Sequence, residues 1–299
     1  MYDQVAQNRR RSVLLIAGFF LFTALTAIAI SYAFGFGLPG IVVAVVIAAT
    51  SAIVGYWKSD RVALAVSRAQ PADETTYARY HNLVEGLCIA SGLPKPRLYI
   101  VDDPAPNAFA TGRDPNHAAV AVTTGLLQTM NRVELEGVLA HELSHIKNYD
   151  ILVSTLAVVM LGVIALLADV ALRYSFFFSP RRRKDSDNIG LLLAVVGVLL
   201  AIIGPVIAKL MQLAITRRRE SLADLSAVEM TRYPPGLISA LQKLEAAPSV
   251  VRSGSRATAH MWIEDPMPQT KEEGRMSRLN RMFNTHPPIA ERIAALREL

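Results

Sequence analysis

The sequence predicts an α+β protein in which a domain with a small β-sheet is joined to four predominantly helical membrane segments, arranged in two hairpins. Of the 299 residues, 52% are hydrophobic and only 19% are charged. Such a chain is too apolar for one soluble domain, and its composition is typical of a protein with membrane spans. The hydrophobic residues are concentrated in long runs, and the stretches between these runs carry helix and strand patterns.

The first predicted hairpin occupies residues 1–57. No charged side chain lies between Ser12 and Trp57, and the turn-forming stretch Phe34–Gly40 divides this run into two helices. A retained anchor fits better than a secretory signal, because the run is long and a second span follows at once. Three arginines precede the uncharged run and further basic residues follow it, which places both ends of the hairpin in the cytoplasm.

Residues 58–150 are predicted to form the first part of the globular domain. A helical pattern over Glu74–Ala90 is followed by a small sheet and then by a helix that begins after the N-cap residue Asn131. An edge strand of this sheet could hold an extended peptide by main-chain hydrogen bonds, or could simply pack within the domain, and the sequence leaves both open. The predicted strands are Arg97–Asp102, Asn107–Gly112 and Ala118–Thr123.

Residues 151–215 contain two more apolar runs, which are predicted as the second hairpin. Asp169 lies near the end of the first run, where Arg173 is its i+4 partner, so an ion pair is favoured over a functional site. The intervening loop carries four basic residues at 181–184, which a full crossing would place outside the cell. This placement opposes the positive-inside tendency, so the sequence leaves open whether the second hairpin crosses fully.

The helix before the second hairpin carries the most specific pattern in the chain, His141-Glu142-Leu143-Ser144-His145. Two histidines four residues apart share one helical face, so both imidazoles can reach one metal ion. Zinc prefers nitrogen and carboxylate ligands, and Glu142 is placed to accept a proton from an attacking water. The chain has a single cysteine, Cys88, so thiolate zinc sites and intramolecular disulfides are excluded. The plain alternative is a helix with two solvated histidines and a surface glutamate.

Residues 216–299 are predicted to complete the globular domain and to supply a third metal ligand. Glu220 and Asp224 lie one turn apart on a helical pattern. Glu220 would be the ligand, and Asp224 would accept a hydrogen bond from the other ring nitrogen of a ligand histidine. Two solvated acids on an amphipathic surface helix would show the same spacing. The spacing alone therefore does not distinguish a metal-binding role from a surface role. The remaining predicted elements are a helix near 236–246, a short strand at Met261–Glu264 and a last helix over Ile289–Arg297.

Five stretches, taken in chain order, resemble the HtpX-type membrane zinc metalloproteases of the M48 peptidase family, which are relatives of the Ste24 CAAX prenyl proteases. The resemblance covers nearly the whole chain and is most specific around His141. The stretches are 106–112 (PNAFATG), 134–148 (ELEGVLAHELSHIKN), 217–224 (RRRESLAD), 261–266 (MWIEDP) and 285–292 (THPPIAER).

This resemblance implies a zincin-like catalytic domain on the cytoplasmic face of a bacterial inner membrane, with one zinc ion (Zn2+) per chain. The implied metal ligands are His141, His145 and Glu220, and Glu142 would act as general base and then as general acid. The resemblance implies four further roles: Asp224 would orient a ligand histidine, His286 and Arg292 would stabilise the oxyanion, and Asn107 would help to hold the substrate.

The expected function is hydrolysis of peptide bonds in misfolded or damaged membrane proteins or other unfolded polypeptides, next to the lipid bilayer. A CAAX prenyl-type protease fits less well, because four apolar runs are too few to wall the large membrane chamber of those relatives. A metal-bound membrane scaffold without chemistry would not need Glu142. The net charge of +6 arises from basic clusters beside the apolar runs, which indicates membrane flanks and no nucleic-acid partner. The sequence does not indicate an oligomeric state.

Overall fold

The computed structural model describes residues 37–156, 217–247, 261–263 and 288–299, with isolated positions between 10 and 28. The helices in these ranges are α1 (Gly37–Val66), α2 (Ala78–Ser91), α3 (Thr124–Thr129), α4 (Arg132–Lys147), α5 (Arg217–Thr231), α6 (Pro234–Ala246) and α7 (Ile289–Arg297). The strands are β1 (Gln70–Pro71), β2 (Arg97–Val101), β3 (Ala108–Gly112) and β4 (Ala118–Thr123).

The four strands form one sheet in the order β1-β2-β4-β3. Strands β2 and β4 are parallel, whereas β1 pairs antiparallel with β2 and β3 pairs antiparallel with β4. All residues of β3 and β4 are buried, because successive side chains point into two different cores. Val120 and Val122 belong to the core that contains α4, whereas Ala119 and Ala121 pack with α1. The sheet is therefore covered on both faces and supports α4.

Helix α4, which carries the two histidines, is buried along most of its length. Its N-terminus is fixed by a capping box, in which Asn131 accepts a hydrogen bond from the Glu134 amide and Glu134 accepts one from the Asn131 amide. The Glu134 carboxylate also lies 2.7 Å from Lys243 of α6. A Cβ atom at Gly137 would lie 2.9 Å from the backbone of Leu237, so this glycine allows α4 and α6 to pack closely.

The outer edge of β3 is covered by the protein itself. The Ile263 amide donates to the Ala108 carbonyl at 3.0 Å, and Phe109 forms an antiparallel bridge with Trp262. The Trp262 ring is fully buried, with its centroid 4.7 Å from that of Phe109. Of the two roles that the sequence allows for this edge strand, the structure therefore shows packing within the domain.

Helix α1 is longer than the sequence pattern predicts. The first hairpin was expected to end at residue 57, whereas the helix continues to Val66. Its last turns contribute Ala63 and Leu64 to the core beside the sheet. It ends where Arg68 adopts a positive φ of 53°. None of the helices in the described ranges is long and apolar enough to cross a membrane.

Several sequence predictions fall outside the described residues. The first predicted span, near 13–33, is described only at isolated positions, and the run that begins at Ile151 is described as helix only as far as Leu156. The fourth run, Asp169 and the basic loop at 181–184 lie wholly outside.

Candidate metal centre

Helices α4 and α5 bring together the three predicted metal ligands. His141 and His145 lie one turn apart on α4, with their Nε2 atoms 3.2 Å from each other. Glu220 lies in the first turn of α5. Its Oε2 atom is 3.7 Å from His141 Nε2, and its Oε1 atom is 3.7 Å from His145 Nε2. The three ligand atoms lie within 4.8 Å of one another, although residues 148–216 separate the two helices in the chain.

This arrangement fits a zinc ion. Tetrahedral coordination at ordinary zinc–nitrogen and zinc–oxygen distances separates neighbouring ligand atoms by about 3.3–3.4 Å. The two imidazole nitrogens are already near this spacing, at 3.2 Å, and each lies 3.7 Å from a different oxygen of the Glu220 carboxylate. Each imidazole also has a carboxylate beside its Nδ1 atom, which leaves its Nε2 atom directed at the shared position.

The first carboxylate is Asp224, which lies one turn after Glu220 on α5. Its Oδ1 atom is 2.9 Å from His141 Nδ1, and Arg292 of α7 donates to both of its oxygens at 2.8 and 2.6 Å. Burial raises the pKa of Asp224, but the charge and hydrogen bonds of Arg292 outweigh this effect and lower the pKa to about 2. Asp224 is therefore a carboxylate at neutral pH and can accept the Nδ1 proton of His141.

The two histidines differ in their protonation. Burial and the charge of Arg292 lower the pKa of His141 to about 4, so its Nε2 atom is available at neutral pH. Burial also lowers the pKa of His145, but the hydrogen bond to Asp150 and the charge of Glu220 outweigh it and raise that pKa to about 9. Without a metal ion, His145 is therefore protonated at neutral pH, and a metal ion bound there would displace this proton.

Glu142 lies beside this group and is almost fully buried, with 1% of its surface exposed. Its charge contributes to the raised pKa values of His145 and Arg292, which shows that it acts on the site electrostatically. Burial and the Glu142 charge also raise the pKa of Tyr80, whose hydroxyl donates to the Val120 carbonyl at 3.1 Å. A buried carboxylate at this place is suited to accept a proton from an attacking water.

The other predicted site residues have different surroundings. Asn107 is fully buried at the start of β3, where its side-chain oxygen accepts from the Ala108 amide at 3.0 Å. Arg292 contacts Asp224 and also lies 3.4 Å from His141 Nδ1, so it belongs to the metal centre. His286 lies outside the described residues.

Two residues near the metal centre were not predicted from the sequence. Asp150 lies 3.3 Å from His145 Nδ1, and Arg219 lies 2.8 Å from Asp150. The feature of the sequence that could have indicated Asp150 is an acidic residue just beyond the end of α4. The signal for Arg219 was its position next to Glu220, but it was interpreted as one of three basic residues at a membrane flank.

Two histidines, one buried and one partly buried, meet a glutamate from a second helix next to another buried glutamate. This is the set of side chains that a metalloprotease centre uses. Comparison with known proteins agrees, since residues 74–299 match the model of peptidase family M48. The chain is 41% identical to a protease HtpX homolog of Caldanaerobacter subterraneus subsp. tengcongensis, an alignment that covers all of this chain and 98% of that protein. It is 42% identical to a protease HtpX homolog of Streptococcus gordonii, with complete coverage of both.

The chain belongs to peptidase family M48 and is an HtpX-type metalloprotease, which confirms the resemblance noted in the sequence. Its fold is similar to the crystal structure of S. mikatae Ste24p, with a TM-score of 0.50 over 99% of this chain and 67% of that chain. At 17% identity, this likeness concerns the fold alone.

Proposed function

We propose that this chain is a zinc-dependent endopeptidase of the membrane that cleaves misfolded or damaged membrane proteins. The observation that carries the proposal is the meeting of His141, His145 and Glu220 beside the buried Glu142. Zinc held by these three residues would polarise the scissile carbonyl and make water more acidic.

The residues around the centre would transfer protons and orient the ligand histidines. Glu142 accepts a proton from the attacking water and returns it to the leaving amine. Asp224 holds the Nδ1 proton of His141, and Asp150 holds that of His145, so both histidines keep the tautomer that a metal ligand needs. Because almost all of these groups are buried, bulk water does not screen the charges among them.

Charge develops on the carbonyl oxygen as water attacks, and we propose that His286 and Arg292 stabilise it. Arg292 is supported by its position, because its Nη2 atom lies 3.4 Å from His141 Nδ1 and 3.5 Å from His141 Nε2. Its Nη1 atom has no hydrogen-bond partner among the described residues. Asn107 is proposed to help hold the substrate from the start of β3.

The predicted organisation supports membrane-protein substrates. Hairpins at 1–57 and 151–215 would lie in the bilayer, and the two halves of the catalytic domain, 58–150 and 216–299, would meet in the cytoplasm. The side chains of Leu38, Val42, Val43 and Val46 on α1 are exposed, which suits contact with lipid. A scissile bond near the bilayer would then come close to the metal centre.

Replacing Glu142 with glutamine should leave the fold and zinc content intact and lower kcat by about 10²–10⁴-fold, because an amide cannot accept the proton. The measurement is cleavage of an unfolded membrane protein together with zinc content. Glu136→Gln makes the same change on α4 outside the centre and should keep wild-type turnover. Wild-type turnover in Glu142→Gln would contradict the proposed hydrolysis and favour the metal-bound scaffold.

Replacing His286 with alanine should lower kcat by about 10²–10³-fold without loss of zinc, since an oxyanion donor acts only as charge develops. Arg292→Ala should lower both kcat and zinc affinity, because it also removes the partner of Asp224. The measurement combines kcat, zinc content and melting temperature. Normal kcat with a lowered melting temperature would show that these two residues only hold the fold.

The two ends of the intervening hairpin should open to the same side of the membrane, because His141 and Glu220 meet at one centre. Single cysteines would replace the exposed residues Val133 and Leu225 in a Cys88→Ser background. An impermeant thiol reagent should label both positions only from the cytoplasmic side. Labelling of the two positions from opposite sides would contradict a membrane protein with one shared centre.

A further inference from the structure

We propose that Asp150 and Arg219 form a clamp that positions His145 and Glu220, the ligands from the two helices, for one metal ion. The inference rests on the proposed zinc function and extends it to two residues outside the ligand set. Neither residue would touch the metal or the substrate, so both are positioning residues.

The chain makes a tight turn directly after α4 that brings Asp150 back to His145. The Tyr149 amide donates to the Ile146 carbonyl at 3.2 Å, and Tyr149 has a φ of 58°, a left-handed conformation that residues other than glycine seldom adopt. Asp150 follows this turn, and its Oδ2 atom lies 3.3 Å from His145 Nδ1. Costly backbone conformations of this kind persist where the surrounding structure requires them, often at functional sites.

Arg219 holds Asp150 at two points. Its Nη2 atom donates a hydrogen bond to the Asp150 carbonyl oxygen at 2.9 Å. Its Nε atom lies 2.8 Å from Asp150 Oδ1 and forms an ion pair without hydrogen-bond geometry. The two oxygens of the carboxylate are therefore divided, one facing Arg219 and the other facing His145. Both residues are buried, with 8% of Arg219 and 2% of Asp150 exposed.

Because of its position in the chain, Arg219 also links the Asp150 contact to α5, the helix that carries Glu220. Arg219 directly precedes Glu220 in the first turn of α5, so its contacts with Asp150 also fix the start of α5 against the end of α4. One contact, between residues 69 positions apart, therefore sets both the ring orientation of His145 and the approach of Glu220.

A purely stabilising ion pair would explain the contact less well. A buried pair gains little net stability, because the cost of desolvating two charges offsets their attraction. Carboxylates behind ligand histidines instead act on metal affinity, and their removal typically weakens it about 10–100-fold. The two explanations differ in what they predict for a protein in which both charges are removed together.

The test is the double substitution Asp150→Leu with Arg219→Leu, which leaves neither charge buried alone and should allow folding. The measurements are the zinc Kd, by competition with a chromogenic chelator, and the melting temperature of the metal-free full-length protein. The clamp predicts a zinc Kd about 10–100-fold higher than that of the wild type. Should this variant not fold, Arg219→Lys keeps the charge without the two-point contact and should raise the zinc Kd by about 10-fold.

The matched control removes the ion pair at the other end of α4, by Glu134→Leu with Lys243→Leu. This control should lower the melting temperature and leave the zinc Kd within about twofold of wild type, since the pair lies away from the ligands. Wild-type zinc affinity in the variants of Asp150 and Arg219 would overturn the clamp and leave the proposed zinc function standing. Absence of zinc from the wild-type protein would overturn both.

Discussion

The contact between the Nδ1 atom of His141 and the carboxylate of Asp224 is the interaction on which the candidate metal centre depends. At 2.9 Å it joins α4 to α5, and it directs the opposite ring nitrogen of His141 toward Glu220 on the same face of α5. Much of the fold supports this contact, because the sheet and α6 hold α4 while α7 supplies Arg292 to Asp224. The centre is thus assembled from parts of the chain that lie far apart in sequence.

Buried carboxylates need partners, and here each carboxylate behind a histidine has an arginine. Asp224 is paired with Arg292, and Asp150 is paired with Arg219. Arg292 also lies against His141 and helps to lower its pKa to about 4, whereas the pKa of His145 is raised to about 9. Each histidine thus lies in a similar group of histidine, aspartate and arginine, yet the two histidines differ in protonation state before a metal ion binds.

Local patterns in the sequence were sufficient to predict the elements that carry the centre. The N-cap Asn131 marks the start of α4, and the strand predicted over Ala118–Thr123 has the bounds of β4. The last helix was predicted over Ile289–Arg297, the bounds of α7. Strand β1 has only two residues, too few for a periodic pattern, and was not predicted. The spacing of His141 and His145 predicted a shared metal ion, whereas the roles of Glu220 and Asp224 came from the family motifs, because their spacing suits a surface helix equally well.

The features that the sequence did not predict depend on contacts between distant residues. Trp262 covers the edge of β3, which no local pattern around Phe109 could indicate. Asp150 reaches His145 through a left-handed turn at a tyrosine, a residue type that gives no signal for such a turn.

The measurement that tests the metal centre most directly is X-ray absorption spectroscopy at the zinc edge on the purified full-length protein. The account predicts one zinc per chain with two imidazole nitrogens and oxygen ligands, and sulfur coordination or a single imidazole would contradict it.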